Sequence, residues 1–242
     1  MKARFEKTVT IMPSQIDAGG RLGVPDTFAL FMDAATEAAG EIGVGVDFLR
    51  RKGMFWITVK TMIKFLDRPG ILDTVQVSTW PEAPGEKRCN RHYAICRDGK
   101  PLVLGKTEWA IVSVLTKRPQ RMAGLLPGAL DYPAEAACPE AFPMIDERFD
   151  APPFAEHRVV ATDIDLARHM NNVAYVRAIV NAFSVKEWKR MDVREMTVIF
   201  RAPAHEGDTL QFRMRRDGDV MDVCGRLPGG QTVVLARMRL GR

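Results

Sequence analysis

Two side chains that could act on a carbonyl group lie four residues apart, just before a predicted helix. Asp165 and His169 fall in a polar turn that follows an apolar run at Val159 to Ala161 and precedes Asn171 and Asn172. Asparagine is a common N-cap, and a helix N-terminus presents backbone N–H groups that can hold an anion. A base beside such a helix end favours attack on a carbonyl. The alternative interpretation is an Asx-rich turn that only begins a helix.

Each residue of this turn has a chemical and a structural interpretation. Asp165 is the natural base or nucleophile. His169 would orient water or carry a proton, and its alternative role is that of a capping or buried, hydrogen-bonded histidine. Asn171 and Asn172 are candidates for substrate binding at the start of the helix, where donors to the carbonyl oxygen would lie, and their alternative role is capping.

Other polar residues are weaker candidates. His205 and Glu206 could supply a second carboxylate, although a turn before a strand explains them equally well. Glu37 lies on the first predicted helix, where a solvated side chain is the simpler interpretation. His92 and His157 have no partner at a useful spacing in the sequence.

The same pattern occurs earlier in the chain. Aligning Asp17 with Asp165 brings Arg21 onto His169, and residues 64–77 then match residues 199–212 in the same order. A third match aligns two hairpins that turn at glycine. Such order indicates an internal duplication. Because the first copy lacks the imidazole, we expect one active site and one decayed site.

Each half contains one long helix followed by strand-like segments. The first helix is predicted at about Pro25 to Glu41, and the second has an apolar stripe from Val173 to Phe183. The predicted strands are Phe55 to Phe65, Thr74 to Trp80, Lys87 to Arg97, Leu102 to Thr116, Glu195 to Arg201, Thr209 to Arg216, Val220 to Arg226 and Thr232 to Arg239. One helix and a meander exclude a doubly wound parallel sheet. The order predicts an antiparallel sheet wrapped around its own helix, twice.

Proline marks the boundary between the two halves. Seven of the 15 prolines lie between Arg118 and Glu156, in a stretch without helical or strand periodicity. We therefore predict repeats at residues 1–118 and 157–242, joined by a surface connection at residues 119–156. A short helical turn is expected within this connection, around Ala134 to Ala137.

The second half resembles the acyl-acyl carrier protein thioesterases of plants and bacteria. Their signature, approximately DxDxNxHxNNxxY, aligns with DIDLARHMNNVAY at Asp163 to Tyr175. First-half features are similar too, among them Trp56, Arg91 and Trp109, so the resemblance extends over nearly the whole chain. It implies an α+β double hotdog fold and hydrolysis of fatty acyl-acyl carrier protein to free fatty acid and carrier protein. A homodimer is compatible with it.

The chain departs from the family pattern at three positions. The family's catalytic asparagine falls on Ala167, and a Glu-Cys pair of the plant enzymes falls on Pro203 and Ala204. Asp165 and His169 are the residues of that set that remain. Shorter hotdog thioesterases also lack the asparagine, so the loss is compatible with activity. The alternatives are an acyl-coenzyme A thioesterase and a non-catalytic acyl-binding protein.

The charge of the chain suits an acidic partner. Its 242 residues carry a net charge of +5 with a pI of about 9.1. Small basic clusters occur at Arg50 to Lys52, Lys186 to Arg190 and Arg213 to Arg216. They would steer an acidic acyl carrier protein, or they are ordinary solvated side chains. Nucleic acid is not an expected partner, because no recognition motif accompanies the charge.

Composition excludes several other classes. The four cysteines have neither metal-ligand nor disulfide-framework spacing, so we expect no metal, no cofactor and a reduced cytoplasm. No apolar run approaches the ~20 residues of a membrane span. The N-terminus lacks the apolar segment of a signal peptide.

Overall fold

The computed structural model describes residues 3–127, 130–148 and 151–241, in which a ten-stranded sheet is packed against two long helices. Every pairing between neighbouring strands is antiparallel. The predicted α+β class is therefore confirmed.

The first repeat has five strands and two helices in its described part. In chain order they are β1 (Phe5–Thr10), α1 (Val24–Glu41), α2 (Val46–Arg51), β2 (Met54–Phe65), β3 (Thr74–Pro81), β4 (Cys89–Arg97) and β5 (Lys100–Ser113). The predicted helix and strands agree with these bounds to within three residues at each end. The sequence interpretation missed α2, because six residues are too few to display a helical period. Asp47 in its first turn and Arg50 and Arg51 in its last complement the helix dipole.

The second repeat has the same order of elements. They are β6 (Ala155–Arg158), α3 (Asn172–Asn181), α4 (Val185–Met191), β7 (Val193–Phe200), β8 (Thr209–Asp217), β9 (Val220–Arg226) and β10 (Thr232–Leu240). The missed helix α4 begins with a capping box, in which Ser184 and Glu187 satisfy each other's backbone N–H groups. The apolar run at Val159 to Ala161 lies after strand β6 and enters a 3₁₀ turn at Ala161–Asp163.

The two repeats share one continuous sheet. Its strand order is β1-β3-β4-β5-β2-β7-β10-β9-β8-β6, so β2 and β7 join the halves at the centre. Their antiparallel register runs from Lys60 opposite Ile199 to Lys64 opposite Glu195. Helices α1 and α3 pack against each other, and their buried faces belong to a single apolar core. Both helices therefore pack against the sheet and do not form a separate helical layer.

Helix α1 packs closely against the sheet. Phe31 stacks on Tyr93 with ring centroids 4.5 Å apart. A Cβ on Gly105 would lie 2.3 Å from Phe31, so only glycine on β5 leaves room for this ring. The alanines at 34, 35, 38 and 39 of α1 are buried as well. Small residues on both elements therefore set the close approach.

The proline-rich connection covers the outer face of the sheet. Glu140 binds the Lys64 ammonium at 2.5 Å, and the carbonyl of Glu135 accepts a hydrogen bond of 2.9 Å from the Trp80 indole. Ile145 packs against Ile199 and other apolar side chains of that face. Residues 130–148 thus bury a second face of the sheet, which explains why β4 does not alternate between buried and exposed residues.

The prediction of a helical turn around Ala134 to Ala137 is wrong. The chain bends there without helical hydrogen bonds. Pro133 and Pro139 flank the segment, and the residue before a proline is disfavoured from helical geometry. Four residues between such boundaries are too few for a stable helix.

Asp222 on β9 is a buried carboxylate that joins three strands. It accepts two hydrogen bonds from Arg237 on β10, at 2.7 and 2.8 Å, and one of 2.8 Å from Arg215 on β8. Burial alone would raise the pKa of Asp222, but the hydrogen bonds and charges of the two guanidinium groups hold it below the ordinary value. Its contribution to stability is therefore complete above the unfolded-state pKa of about 4 and is lost as the pH falls through the folded-state pKa.

Asp222→Asn should lower the free energy of unfolding at pH 7 by about 3 kcal/mol, because it removes the charge of a buried carboxylate that binds two guanidinium groups. The loss should shrink as the pH falls from about 4, where Asp222 of the unfolded chain takes up a proton, through the lower pKa of the folded state. Urea unfolding at several pH values measures both effects. Asp98→Asn, at an exposed turn, is the matched control. An equal loss for both variants, or no change with pH, would contradict the argument.

Candidate active site

Asp165 and His169 lie in a tight loop that ends at α3. An isolated β-bridge between Ile164 and Met170 closes the loop. Inside it, the Asp165 N–H donates to the His169 carbonyl at 3.1 Å, and the Arg168 N–H donates to the Asp165 carbonyl at 2.9 Å. Arg168 has a positive φ of 61°, which lets the chain reverse direction here. The backbone therefore fixes both candidate side chains relative to α3.

The Asp165 carboxylate has one bonded and one available oxygen. Oδ1 accepts a hydrogen bond of 2.8 Å from the Ala167 N–H and lies 3.9 Å from Nδ1 of His169. Oδ2 has no hydrogen-bond partner among the described residues. The side chains of Asp165 and His169 are each about one-third exposed (32% and 33%), so water reaches both. A carboxylate oxygen without a described partner and an imidazole thus lie close together on the solvent-accessible side of this loop.

The start of α3 adds hydrogen-bond donors. Asn171 is the N-cap, and its side-chain oxygen accepts from the Val173 N–H at 2.8 Å. Asn172 is the first residue of the helix. The backbone N–H groups of Asn172 and Ala174 have no acceptor within the described ranges. Asn171 thus caps the helix, which is the alternative role considered for it, and two donors at this helix end have no described acceptor.

A hydrogen-bonded pair of side chains, His157 and Asp163, helps to hold the loop in place. Oδ2 of Asp163, a residue only 6% exposed, lies 2.8 Å from Nε2 of His157 and accepts from the Val160 N–H at 3.1 Å. The Asp163 carbonyl also accepts the Asn171 N–H at 2.8 Å. The expectation that His157 has no useful partner was wrong, because its partner is reached across the 3₁₀ turn after β6. This pair positions the N-cap of α3.

The loop at Pro203 and Ala204 is attached to the same helix. The Tyr175 hydroxyl accepts from the Ala204 N–H at 2.8 Å and donates to the Ala202 carbonyl at 3.3 Å. The Ala204 carbonyl in turn accepts the Met170 N–H at 2.8 Å. Burial raises the pKa of Tyr175 to about 12, so its hydroxyl stays protonated. Backbone groups therefore hold this loop beside the candidate site.

The weaker candidates have other contacts. Nδ1 of His205 lies 3.2 Å from the Arg168 carbonyl, at the edge of the Asp165 loop. Glu37 forms an ion pair of 2.5 Å with Lys7. His92, also expected to lack a partner, binds Glu82 at 2.6 Å under the proline-rich connection, where burial lowers its pKa. Glu206 lies in a loop beside a shallow cavity and has no described ion pair.

The first repeat reproduces the loop bond by bond. The Asp17 N–H donates to the Arg21 carbonyl at 2.8 Å, and the Gly20 N–H donates to the Asp17 carbonyl at 2.9 Å. Oδ1 of Asp17 accepts from the Gly19 N–H at 2.8 Å. Its other oxygen is not available, since it binds Arg68 at 2.6 Å. The backbone of the loop is duplicated, whereas the free carboxylate oxygen is not.

The start of α1 also lacks the available donors of α3. Its N-cap is Gly23, which has no side chain to cap with, and Pro25 has no N–H at all. The carboxylate of Asp26 bonds its own backbone N–H. Burial raises the pKa of this carboxyl, while the charge of Arg177 opposes the rise. An acidic side chain therefore fills the helix end at which an anion would bind.

Two further features concern ligands and membranes. In the described part of the chain, no group of three or more His, Cys, Asp or Glu side chains is arranged to hold a metal ion. No described helix is long and apolar enough to cross a bilayer.

Two family models match most of the chain. The acyl-ACP thioesterase N-terminal domain matches residues 2–125, and the acyl-ACP thioesterase C-terminal domain matches residues 147–225. The chain is 22% identical to a chloroplastic palmitoyl-acyl carrier protein thioesterase of Arabidopsis thaliana, over 66% of this chain and 41% of that protein. It is 19% identical to a chloroplastic acyl-carrier-protein hydrolase of Cuphea viscosissima, over 86% and 53%. The chain thus spans about half the length of these relatives.

Solved structures share the fold over the full length. An acyl-ACP thioesterase from Bacteroides thetaiotaomicron superposes with a TM-score of 0.86 and 21% identity, covering 99% of this chain and 98% of that one. A 12:0-ACP thioesterase from Umbellularia californica gives 0.81 and 16%, with 99% and 97% covered. The sheet and helices described above therefore form the predicted double hotdog.

Tyr175→Phe should lower the free energy of unfolding by about 1–3 kcal/mol, because it leaves the buried Ala204 N–H without an acceptor. Tyr132→Phe also removes a tyrosine hydroxyl, but one that has no described hydrogen bond, so the free energy of unfolding should change little. Chemical unfolding of both variants measures the difference. A destabilisation by Tyr132→Phe as large as that by Tyr175→Phe would show that the loop does not depend on this bond.

Proposed function

The chain belongs to the acyl-ACP thioesterase family, and from that membership we propose that it hydrolyses fatty acyl-acyl carrier protein to free fatty acid and carrier protein. The observation that carries the proposal is the arrangement at α3. There, the unbonded carboxylate oxygen of Asp165 belongs to the loop that leads into a helix end with two available N–H groups. Base and anion site are the two things that cleavage of a thioester requires.

The chemistry assigned to these residues is as follows. Water adds to the carbonyl carbon as Asp165 takes its proton, and the N–H groups of Asn172 and Ala174 hold the developing oxyanion. The C–S bond then breaks, and the leaving sulfur receives a proton. His169 orients the water or carries that proton. In the alternative route, Asp165 attacks the carbon directly and expels the thiolate, which takes a proton, and water then hydrolyses the resulting anhydride to the fatty acid and the Asp165 carboxylate.

A second candidate function is acyl binding without hydrolysis. It is favoured by Ala167, whose side chain cannot hydrogen-bond, and by Pro203 and Ala204, whose side chains offer neither carboxylate nor thiol. An acyl-coenzyme A thioesterase would use the same chemistry as the favoured function. Competition between acyl carrier protein and coenzyme A thioesters in one assay distinguishes the two carriers.

Asp165→Asn should reduce turnover by at least ~10²-fold, the low end for removal of an acid–base group. Asparagine keeps the size and one acceptor for the Ala167 N–H, so folding should be nearly intact. His169→Ala should reduce turnover too, and by less if the imidazole only orients water. The measurement is hydrolysis of a panel of acyl-carrier thioesters at saturating substrate.

Asp17→Asn is the matched control, since it makes the same change in the duplicated loop. It should leave turnover almost unchanged. Full activity of Asp165→Asn, combined with loss of activity on substitution of Glu37 or Glu206, would mean that the base lies elsewhere. Absence of hydrolysis by the wild type with any carrier thioester would favour the acyl-binding alternative.

The expected partner is an acidic acyl carrier protein. Two of the three basic clusters are solvent-facing, at the end of α2 and along α4. The third is partly engaged, because Arg213 and Arg215 bond to neighbouring groups. The four cysteines are unpaired thiols, which supports a reducing compartment such as the cytoplasm. A homodimer stays a prediction.

Raising the salt concentration from low to about 0.15 M should reduce kcat/KM for acyl-acyl carrier protein, because the Debye length falls to about 8 Å and weakens steering. A small neutral thioester should respond much less. Substituting glutamine for Arg50, Arg51 and Lys52 should reduce the salt slope for the carrier substrate if that cluster contributes. Equal salt sensitivity of both substrates would remove the electrostatic argument.

A further inference from the structure

A second cavity lies at the decayed copy of the catalytic loop. It has a volume of about 390 Å³, within the range of about 300–1,000 Å³ that is usual for small-molecule sites. The start of α1 forms one side, and the end of α3 together with α4 forms the other. We refer to it below as the α1 cavity.

One wall of the α1 cavity is apolar. It is formed by Val180 near the end of α3, by Phe183 just after that helix, and by Val185 and Trp188 on α4. The Phe183 and Trp188 rings are neighbours, with centroids 6.0 Å apart. Aromatic and aliphatic side chains left partly open to solvent in this way suit a ligand with a hydrocarbon part.

The polar side of the α1 cavity contains two cations that form no direct ion pair with a described residue, although the charge of Arg177 acts on Asp26 from beyond ion-pair distance. Arg177 and Lys189 both line it, and neither has a carboxylate within 4.0 Å among the described residues. Two of the lining carboxylates are neutralised, since Asp17 binds Arg68 and Asp192 binds Arg194. Asp26 is then the one lining carboxylate without an ion pair. The excess of unpaired charge is positive, which favours an anionic ligand.

We propose that the α1 cavity binds an aliphatic carboxylate, with its anionic head toward Arg177 and Lys189 and its chain along Phe183 and Trp188. Binding there would not lead to hydrolysis. The start of α1 lacks the donors available at α3, and Arg21 stands in place of the imidazole. This makes the duplicated site a ligand site rather than a second catalytic one. That the ligand is of the same class as the reaction product rests on the proposed function, whereas binding itself does not.

The test uses 12-bromododecanoate, whose bromine quenches indole fluorescence at close range. The quenching is measured in the wild type and in Trp188→Phe. The difference between the two is the quenching of Trp188 alone, which reports on the α1 cavity separately from the other three tryptophans. In the full chain this component should saturate with added ligand. The double variant Arg177→Gln/Lys189→Gln should bind about tenfold more weakly, as expected for the loss of two charge contacts. The corresponding bromododecanol should also bind about tenfold more weakly to the wild type.

Lys186→Gln/Arg190→Gln is the matched control, because it removes two charges from α4 that do not line the α1 cavity. It should leave the Trp188 component unchanged. Three outcomes would overturn the proposal: no quenching assigned to Trp188, equal weakening by both double variants, or equal affinity for the alcohol and the carboxylate. The measurement involves no hydrolysis, so inactivity toward thioesters would count against the proposed function and leave this result standing.

Discussion

The pairing of β2 with β7 is the constraint on which the rest of the molecule depends. A helix wrapped by five strands leaves an open sheet edge, and an unpaired edge is a template for another strand. Joining the two repeats at Lys60 to Lys64 removes both inner edges at once. It also brings α1 and α3 into contact, so that one core serves both repeats. The position of each helix N-terminus relative to the other repeat follows from this junction.

Within that frame, a few side chains decide what each duplicated loop can do. The backbone hydrogen bonds around Asp17 and Asp165 are the same, so the loop geometry belongs to the repeat. The chemistry differs because Arg68 binds Oδ2 of Asp17, whereas Oδ2 of Asp165 has no partner among the described residues. At the helix starts, Asp26 occupies the position equivalent to Ala174. A small apolar residue leaves the helix end available, whereas a carboxylate fills it.

The architecture could be predicted well from the sequence because the signals for helices, strands and turns are local. The 3.6-residue period of α1 and the glycine turns depend on neighbours in the chain. Contacts between distant segments were beyond such signals. Nothing in the local pattern of His157 points to Asp163, and the proline-rich connection reveals in its sequence only that it is irregular. Its position over the outer sheet face involves contacts between segments that are far apart in the chain, such as Glu140 with Lys64 and Ile145 with Ile199.

The loop at Pro203 and Ala204 keeps its position through backbone contacts, although its side chains differ from the family pattern. Its attachments are the Ala204 N–H to Tyr175, the Ala204 carbonyl to Met170, and the Ala202 carbonyl to Tyr175. All three use backbone groups of the loop, so the identities of residues 203 and 204 do not affect them. A change of the side chains at positions 203 and 204 therefore leaves these attachments to α3 in place. In a working thioesterase of this form, the acid–base chemistry would fall on Asp165 and His169, whose own geometry is held from the opposite side by Asp163.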